Sequence, residues 1–169
     1  MRLCKIHTLC GLLLSSLLSA CVTTHNTSLN LGSELTPPKG WQIYCAEQKT
    51  TYKPDPACLD SGRWRQISNI HNHINKSVVY KPDTQNIWQI AQQTGDCEDF
   101  TLRYRAELLN KGWKSKNLLP ALCKTPEGTH HMNLLVNTNQ GIWVLDNRHN
   151  SIKPYTQVQC NYIALYQPS

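Results

Sequence analysis

The segment Thr94–Phe100, TGDCEDF, constrains the fold of this chain more than any other stretch. Gly95 interrupts whatever precedes it, and Asp96 has the short acceptor side chain of a helix N-cap. Beyond it Phe100, Leu102, Tyr104, Ala106, Leu108 and Leu109 recur with helical period, and Gly112 suits the residue just past a helix end. Asp99 stands three residues after Asp96, at the capping-box position. The chain must therefore start a helix at Cys97, with a cysteine in its first turn. There the positive end of the helix dipole and the unpaired N–H groups favour a thiolate. Asp96, Glu98 and Asp99 oppose it with negative charge. Any chemistry at Cys97 has to resolve that conflict.

The remaining pattern sets the fold class. Arg63 to about Lys76 carries Trp64, Ile67, Ile70, His71 and Ile74 at helical spacing. Residues 78–83 read as a short extended piece, and Asn86–Gln93 as a short helix. After Gly112 the character changes. Residues 118–124, 131–137, 141–147 and 158–167 are strand candidates separated by turn residues. Helices first and antiparallel strands after them make an α+β domain.

The first 20 residues are expected to be removed. Arg2 and Lys5 precede an apolar stretch centred on Leu12–Leu18 that is too short to span a membrane. Leu18-Ser19-Ala20-Cys21 looks like a lipobox, so Cys21 is the expected lipidation site and the first residue of a membrane-anchored lipoprotein. Val22 after it favours the outer over the inner membrane, by resemblance to enteric lipoproteins. Residues 21–40, rich in Thr and Asn and ending in Pro37-Pro38, read as a tether. One folded domain, 41–169, follows. Losing Arg2 and Lys5 takes the formal charge from +6 to +4. With no basic cluster interleaved with aromatics, nucleic acid is not an expected partner.

Of the eight cysteines, Cys4 and Cys10 leave with the signal and Cys21 is blocked by lipid. The odd number left in an oxidising compartment suggests two disulfides and one free thiol. Cys45–Cys58 would close a short loop and Cys123–Cys160 would tie the chain end to its middle, leaving Cys97 free.

A free thiol at a helix start becomes a nucleophile when a histidine, itself oriented by a third group, serves as its base. The 131–147 segment holds both partners. With Asn137–Gln140 as a four-residue loop, Val136 pairs with Gly141 and His131 lies opposite Asp146, within about 5.5 Å at Cβ. His130 is the alternative base, and each residue alone has a plain structural role open to it.

GDCEDF (95–100), HMNLL (131–135) and VLDN (144–147), with NHINKSVVYKPD (72–83) and Trp88 upstream, resemble the bacterial transglutaminase-like cysteine peptidases, the LapG-like periplasmic group. YCAEQKTTYKPDPAC (44–58) is similar to a cysteine pair near the start of some members. The resemblance implies a papain-like or transglutaminase-like α+β fold, with the cysteine helix packed on an antiparallel sheet that carries His and Asp. It implies Cys97 as nucleophile, His131 as base and then acid, and Asp146 as the residue orienting His131. The reaction implied is amide hydrolysis through a thioester, with the Cys97 backbone N–H as one oxyanion donor. The implied partner is a protein substrate of the cell envelope, with a surface adhesin as the family's example. Phe100-Thr101 replaces the family's more usual Tyr-Ala. The alternative is a non-catalytic lipoprotein that keeps the fold to bind peptides or envelope partners.

Two readings remain open for Asp96, Glu98 and Asp99. They complement the helix start, or, as the resemblance implies, they hold calcium, which takes 6–8 oxygen ligands. His71 and His73 lack a zinc spacing.

Overall fold

The computed structural model describes residues 56–84 and 87–166. The expected signal segment and tether, residues 1–40 with Cys21, and Cys45 lie outside the described residues. Helix α1 (Ser61–Ser77) begins where the Asp60 side chain accepts from the Arg63 N–H at 2.7 Å. Ile67, Ile70, His71 and Ile74 form its buried face. Trp64 sits at the rim of that stripe, edge-on to Trp143 with ring centroids 4.7 Å apart. Strand β1 (Val79–Tyr80) pairs in parallel with β2 (Thr94–Gly95), which leads directly into α2 (Cys97–Asn110).

The short helix expected over Asn86–Gln93 is absent from residues 87–93. Their backbone groups bond to α2 instead of to one another. The Gln89 N–H reaches Asp99 Oδ1 at 2.9 Å, the Ala91 N–H reaches the Asp99 carbonyl at 3.3 Å, and the Ala91 carbonyl accepts from Arg103 at 3.1 Å. Tertiary partners here override a weak local preference.

Helix α2 starts at Cys97, as its sequence requires, and ends in a Schellman arrangement. Gly112 has φ +79°, its N–H bonds Leu109, and the Trp113 N–H bonds Leu108. At the other end Gly95 is required for a different reason. A Cβ there would lie 2.7 Å from Cβ of Asp99. No other residue allows β2 to run so close to the first turn.

Strands β3 (Leu118–Lys124), β4 (His130–Thr138), β5 (Gly141–Leu145), β6 (Lys153–Pro154) and β7 (Asn161–Leu165) form one antiparallel sheet in the order β6-β5-β4-β3-β7. Helix α2 lies across β4, and α1 covers α2. Ile67, Ile74, Phe100, Leu108, Leu134 and Leu145 pack in this layer. Alternate residues such as Ala121, Leu135 and Val144 bury the opposite face with Tyr162. The fold is the expected α+β arrangement, with a helix N-terminus aimed at the central strand. Among the described residues no helix is long and apolar enough to cross a membrane.

Cys123 and Cys160 form a disulfide with Cα atoms 5.6 Å apart, joining β3 to the segment before β7. Cys58 carries an exposed free thiol, and Cys45, its expected partner, lies outside the described residues. Closing a loop between residues 37 apart should stabilise the domain by about 2–4 kcal/mol. Urea unfolding of a Cys123→Ala/Cys160→Ala variant is expected to show a loss of that size. A midpoint unchanged from wild type would mean that the crosslink adds nothing to stability.

Candidate active site

Cys97 opens α2, His131 is the second residue of β4, and Asp146 follows the last residue of β5. Because α2 rests on β4, the first turn of the helix meets the start of that strand. Cys97 and His131 line one cleft of about 470 Å³, together with Tyr80, Thr129, His130, Asn147 and Arg148. On its inner side the thiol is half-buried, packed in a cluster with Trp88, Met132 and Tyr166.

The hairpin register differs from the one expected. Thr138 pairs with Gly141, so the loop is the two residues Asn139-Gln140 and the pairing is displaced by two. Thr138 stays in the strand because its hydroxyl donates to the Gly141 carbonyl at 2.7 Å and accepts from the Gln140 N–H at 3.2 Å. The Asn139 N–H bonds Ala57, which pins the tip. Continuing this register past β5, Asp146 falls opposite Asn133 rather than His131. A displacement by an even number leaves every side chain on its original face. His131 and Asp146 thus become diagonal neighbours, roughly 7–8 Å apart at Cα, which an imidazole and a carboxylate can bridge. His131 Nε2 lies 2.8 Å from Asp146 Oδ1.

Two further donors hold the Asp146 carboxylate. The Arg148 N–H reaches Oδ1 at 2.8 Å and the Asn133 amide reaches Oδ2 at 3.4 Å. Burial alone would push this acid up. The His131 bond and charge, with the Arg148 N–H, outweigh it and keep Asp146 below its usual range. Asp146 is therefore an ionised acceptor at neutral pH, and Nε2 is the protonated nitrogen of His131. His130, the alternative base, is exposed on the cleft rim, and no bond links it to Asp146. Sequence reasoning missed Asn133 and Tyr80. Asn133 could have been found, since it follows His131 by two residues on one strand face.

At Cys97 the conflict between dipole and acids is decided against the thiolate. Burial, then the charge and hydrogen bond of Glu98, push the thiol up to about 12, against a smaller lowering by the Met132 backbone. Cys97 Sγ donates to Glu98 Oε2 at 3.1 Å. Glu98 is itself pushed up to about 7, chiefly by burial, and also bonds the Asp96 carboxyl. Asp96 occupies the N-cap position but does not cap, and its Oδ1 is buried with no partner. Asp99 makes the reach-back half of the capping box to the Asp96 backbone and also accepts from Gln89. Among the described residues no group of three or more His, Cys, Asp or Glu side chains is arranged around a metal position. Asp96 and Glu98 face each other as a carboxyl pair with one orphaned oxygen.

These acids give a definite pH response in the presence of EGTA. A carboxyl whose folded value is raised destabilises the fold once the unfolded chain can ionise freely. Asp99, raised to about 6 mainly by burial, and Glu98 should therefore lower stability as pH rises from about 4 to about 7. In Glu98→Gln the decline should end near pH 6. Denaturation midpoints at half-unit pH steps measure this, and identical curves for the two proteins would contradict it.

The family profile described as bacterial transglutaminase-like cysteine proteinase BTLCP matches residues 31–168. Among solved structures, calcium-bound Legionella pneumophila LapG is similar to this chain with TM-score 0.56 at 18% identity, over 75% of each chain. EGTA-treated LapG is similar with TM-score 0.54 at 18% identity, over 75% of this chain and 73% of that one. No curated protein sequence matches. At this identity the likeness to LapG extends to the fold.

Proposed function

The chain belongs to the bacterial transglutaminase-like cysteine proteinases, and on that premise we propose that it is a lipid-anchored envelope peptidase working through Cys97, His131 and Asp146. The observation that carries this reading is the 2.8 Å bond between His131 Nε2 and Asp146 Oδ1 in a cleft shared with Cys97. Asp146 fixes the Nε2–H tautomer, which leaves Nδ1 to take the Cys97 proton. The thiolate then attacks the scissile carbonyl carbon, and the C=O electron pair moves onto oxygen, where the Cys97 backbone N–H receives it. As the tetrahedral species collapses, the C–N bond breaks and the leaving amine takes the proton from His131. A water molecule, deprotonated by the same nitrogen, cleaves the thioester and restores the thiol.

Calcium is part of the proposal. The related LapG has been solved both calcium-bound and EGTA-treated. Asp96 and Glu98 would hold the ion here, with Asp99 as a third acid already engaged by backbone N–H groups. When bound, a divalent cation supplies positive charge that offsets the acids beside Cys97. Calcium should then speed iodoacetamide labelling of Cys97 at pH 7, located by peptide mapping because Cys58 is also free. Equal labelling rates with calcium and with EGTA would remove calcium from this account.

Lipidation at Cys21 would place the enzyme on the periplasmic face, at the outer membrane, with an envelope protein such as a surface adhesin as its substrate. Comparing envelope proteins by mass between cells carrying wild type and Cys97→Ala tests the whole reading. Proteins truncated only in the wild type support it. No difference between the two, with both enzymes expressed, would leave a non-catalytic binding lipoprotein as the better account.

A further inference from the structure

The carboxylate of Asp146 is held from the sheet side, and its backbone is held from the helices. The Asp146 carbonyl accepts from His71 Nε2 at 3.0 Å and from Asn75 Nδ2 at 3.2 Å. Asn75 Nδ2 also donates to the His149 carbonyl at 3.0 Å, so one amide spans both ends of the turn that begins at Asp146. The Tyr104 hydroxyl donates to Asn75 Oδ1. The direction of each bond follows from its partner. Two carbonyls can only accept, so the Asn75 NH₂ faces them and its oxygen faces Tyr104. His71 must present N–H at Nε2 to the Asp146 carbonyl, which makes Nδ1 the unprotonated nitrogen of the neutral ring. Burial also lowers the His71 pKa, and the ring stacks on Tyr104 with centroids 5.8 Å apart.

Where these groups come from matters as much as their bonds. Tyr104 lies seven residues, about two turns, beyond Cys97 on the same helix and face. Asn75 therefore connects the helix that carries the nucleophile to the turn that carries the acid, and no covalent segment does so nearby. We propose that Asn75, supported by Tyr104 and His71, is a positioning residue that sets the distance between Cys97 and the His131–Asp146 pair. Resting on the peptidase reading, this names the element that keeps the three side chains in register. An amide suits the role because it offers two donors to two carbonyls and one acceptor to a phenol in a single plane. Serine, aspartate or alanine leaves at least one of those buried groups unpaired.

The test uses the full chain with calcium, p-nitrophenyl acetate as a small acyl donor, and the variants Asn75→Ala, Tyr104→Phe and their combination. Misplacing a reacting group by about 1 Å costs on the order of 10²-fold, so Asn75→Ala should lower kcat by about 10- to 100-fold with KM within about twofold. Tyr104→Phe removes one hydroxyl from an otherwise unchanged core and should lower kcat by about threefold or more. It carries the test alone should Asn75→Ala not fold. Since Tyr104 acts through Asn75, the double variant should match Asn75→Ala. Additive losses, or kcat for both single variants within twofold of wild type while Cys97→Ala is inactive, would overturn the proposal. A separate readout is the His131 Nε2–H proton in NMR spectra, which should broaden in Asn75→Ala whatever reaction the protein performs. Broadening in a protein whose Cys97→Ala variant retains turnover would sink the peptidase reading and leave the positioning role standing.

Discussion

Cys97→Ala is expected to reduce peptide hydrolysis by about 10⁶-fold in kcat, the scale seen when the nucleophile of a triad is removed. The other free thiol among the described residues is Cys58. Cys58 is exposed, but it is absent from the cleft that holds His131. The substitution trims one sulfur from a half-buried site, so the melting temperature should stay close to that of the wild type. Activity and thermal melting measured on the same preparation separate loss of chemistry from loss of fold. A folded Cys97→Ala protein that still cleaves its substrate would end the case for a thiol mechanism.

Asp146→Asn should cost about 10⁴-fold in kcat, the magnitude known for the equivalent change in serine peptidases. The change is isosteric, but Oδ1 takes both the His131 and the Arg148 bonds, so an amide NH₂ at that position gives up the bond from the Arg148 N–H. What it alters is the proton on His131. An amide NH₂ facing Nε2 makes that nitrogen the acceptor, which places the proton on Nδ1 and leaves no base toward Cys97. A loss below tenfold in a folded variant would mean that Asp146 does not orient His131. Stability offers a second check with a definite sign. Because Asp146 is held below its usual range, it stabilises the fold above that range and loses its effect as pH falls through the folded value. Wild type and Asp146→Asn should therefore differ near neutral pH and converge in acid.

How far the site could be read beforehand depended on the range of the interactions involved. The helix start at Cys97 and its stop at Gly112 rest on caps and glycine geometry within a few residues, and both stand where the chain pattern places them. The pairing of His131 with Asp146 was legible as a shared strand face, though through the wrong register. A two-residue error is invisible to period-two alternation, and it is settled by the Thr138 hydroxyl and by Ala57 from a distant segment. The missing short helix has the same cause, since residues 87–93 take their hydrogen bonds from α2.

By itself the amino-acid order determined the α+β class, the cysteine in the first turn of a helix, and the face on which histidine and aspartate meet. Periodicity and capping are short-range, and they are written in neighbouring residues. Tertiary structure alone decided the protonation of Cys97, because burial and the Glu98 contact outweigh the helix dipole only once α2 is packed. It also decided that Asn75 reaches Asp146 and Tyr104 at once, which depends on two helices and a hairpin folding against one another.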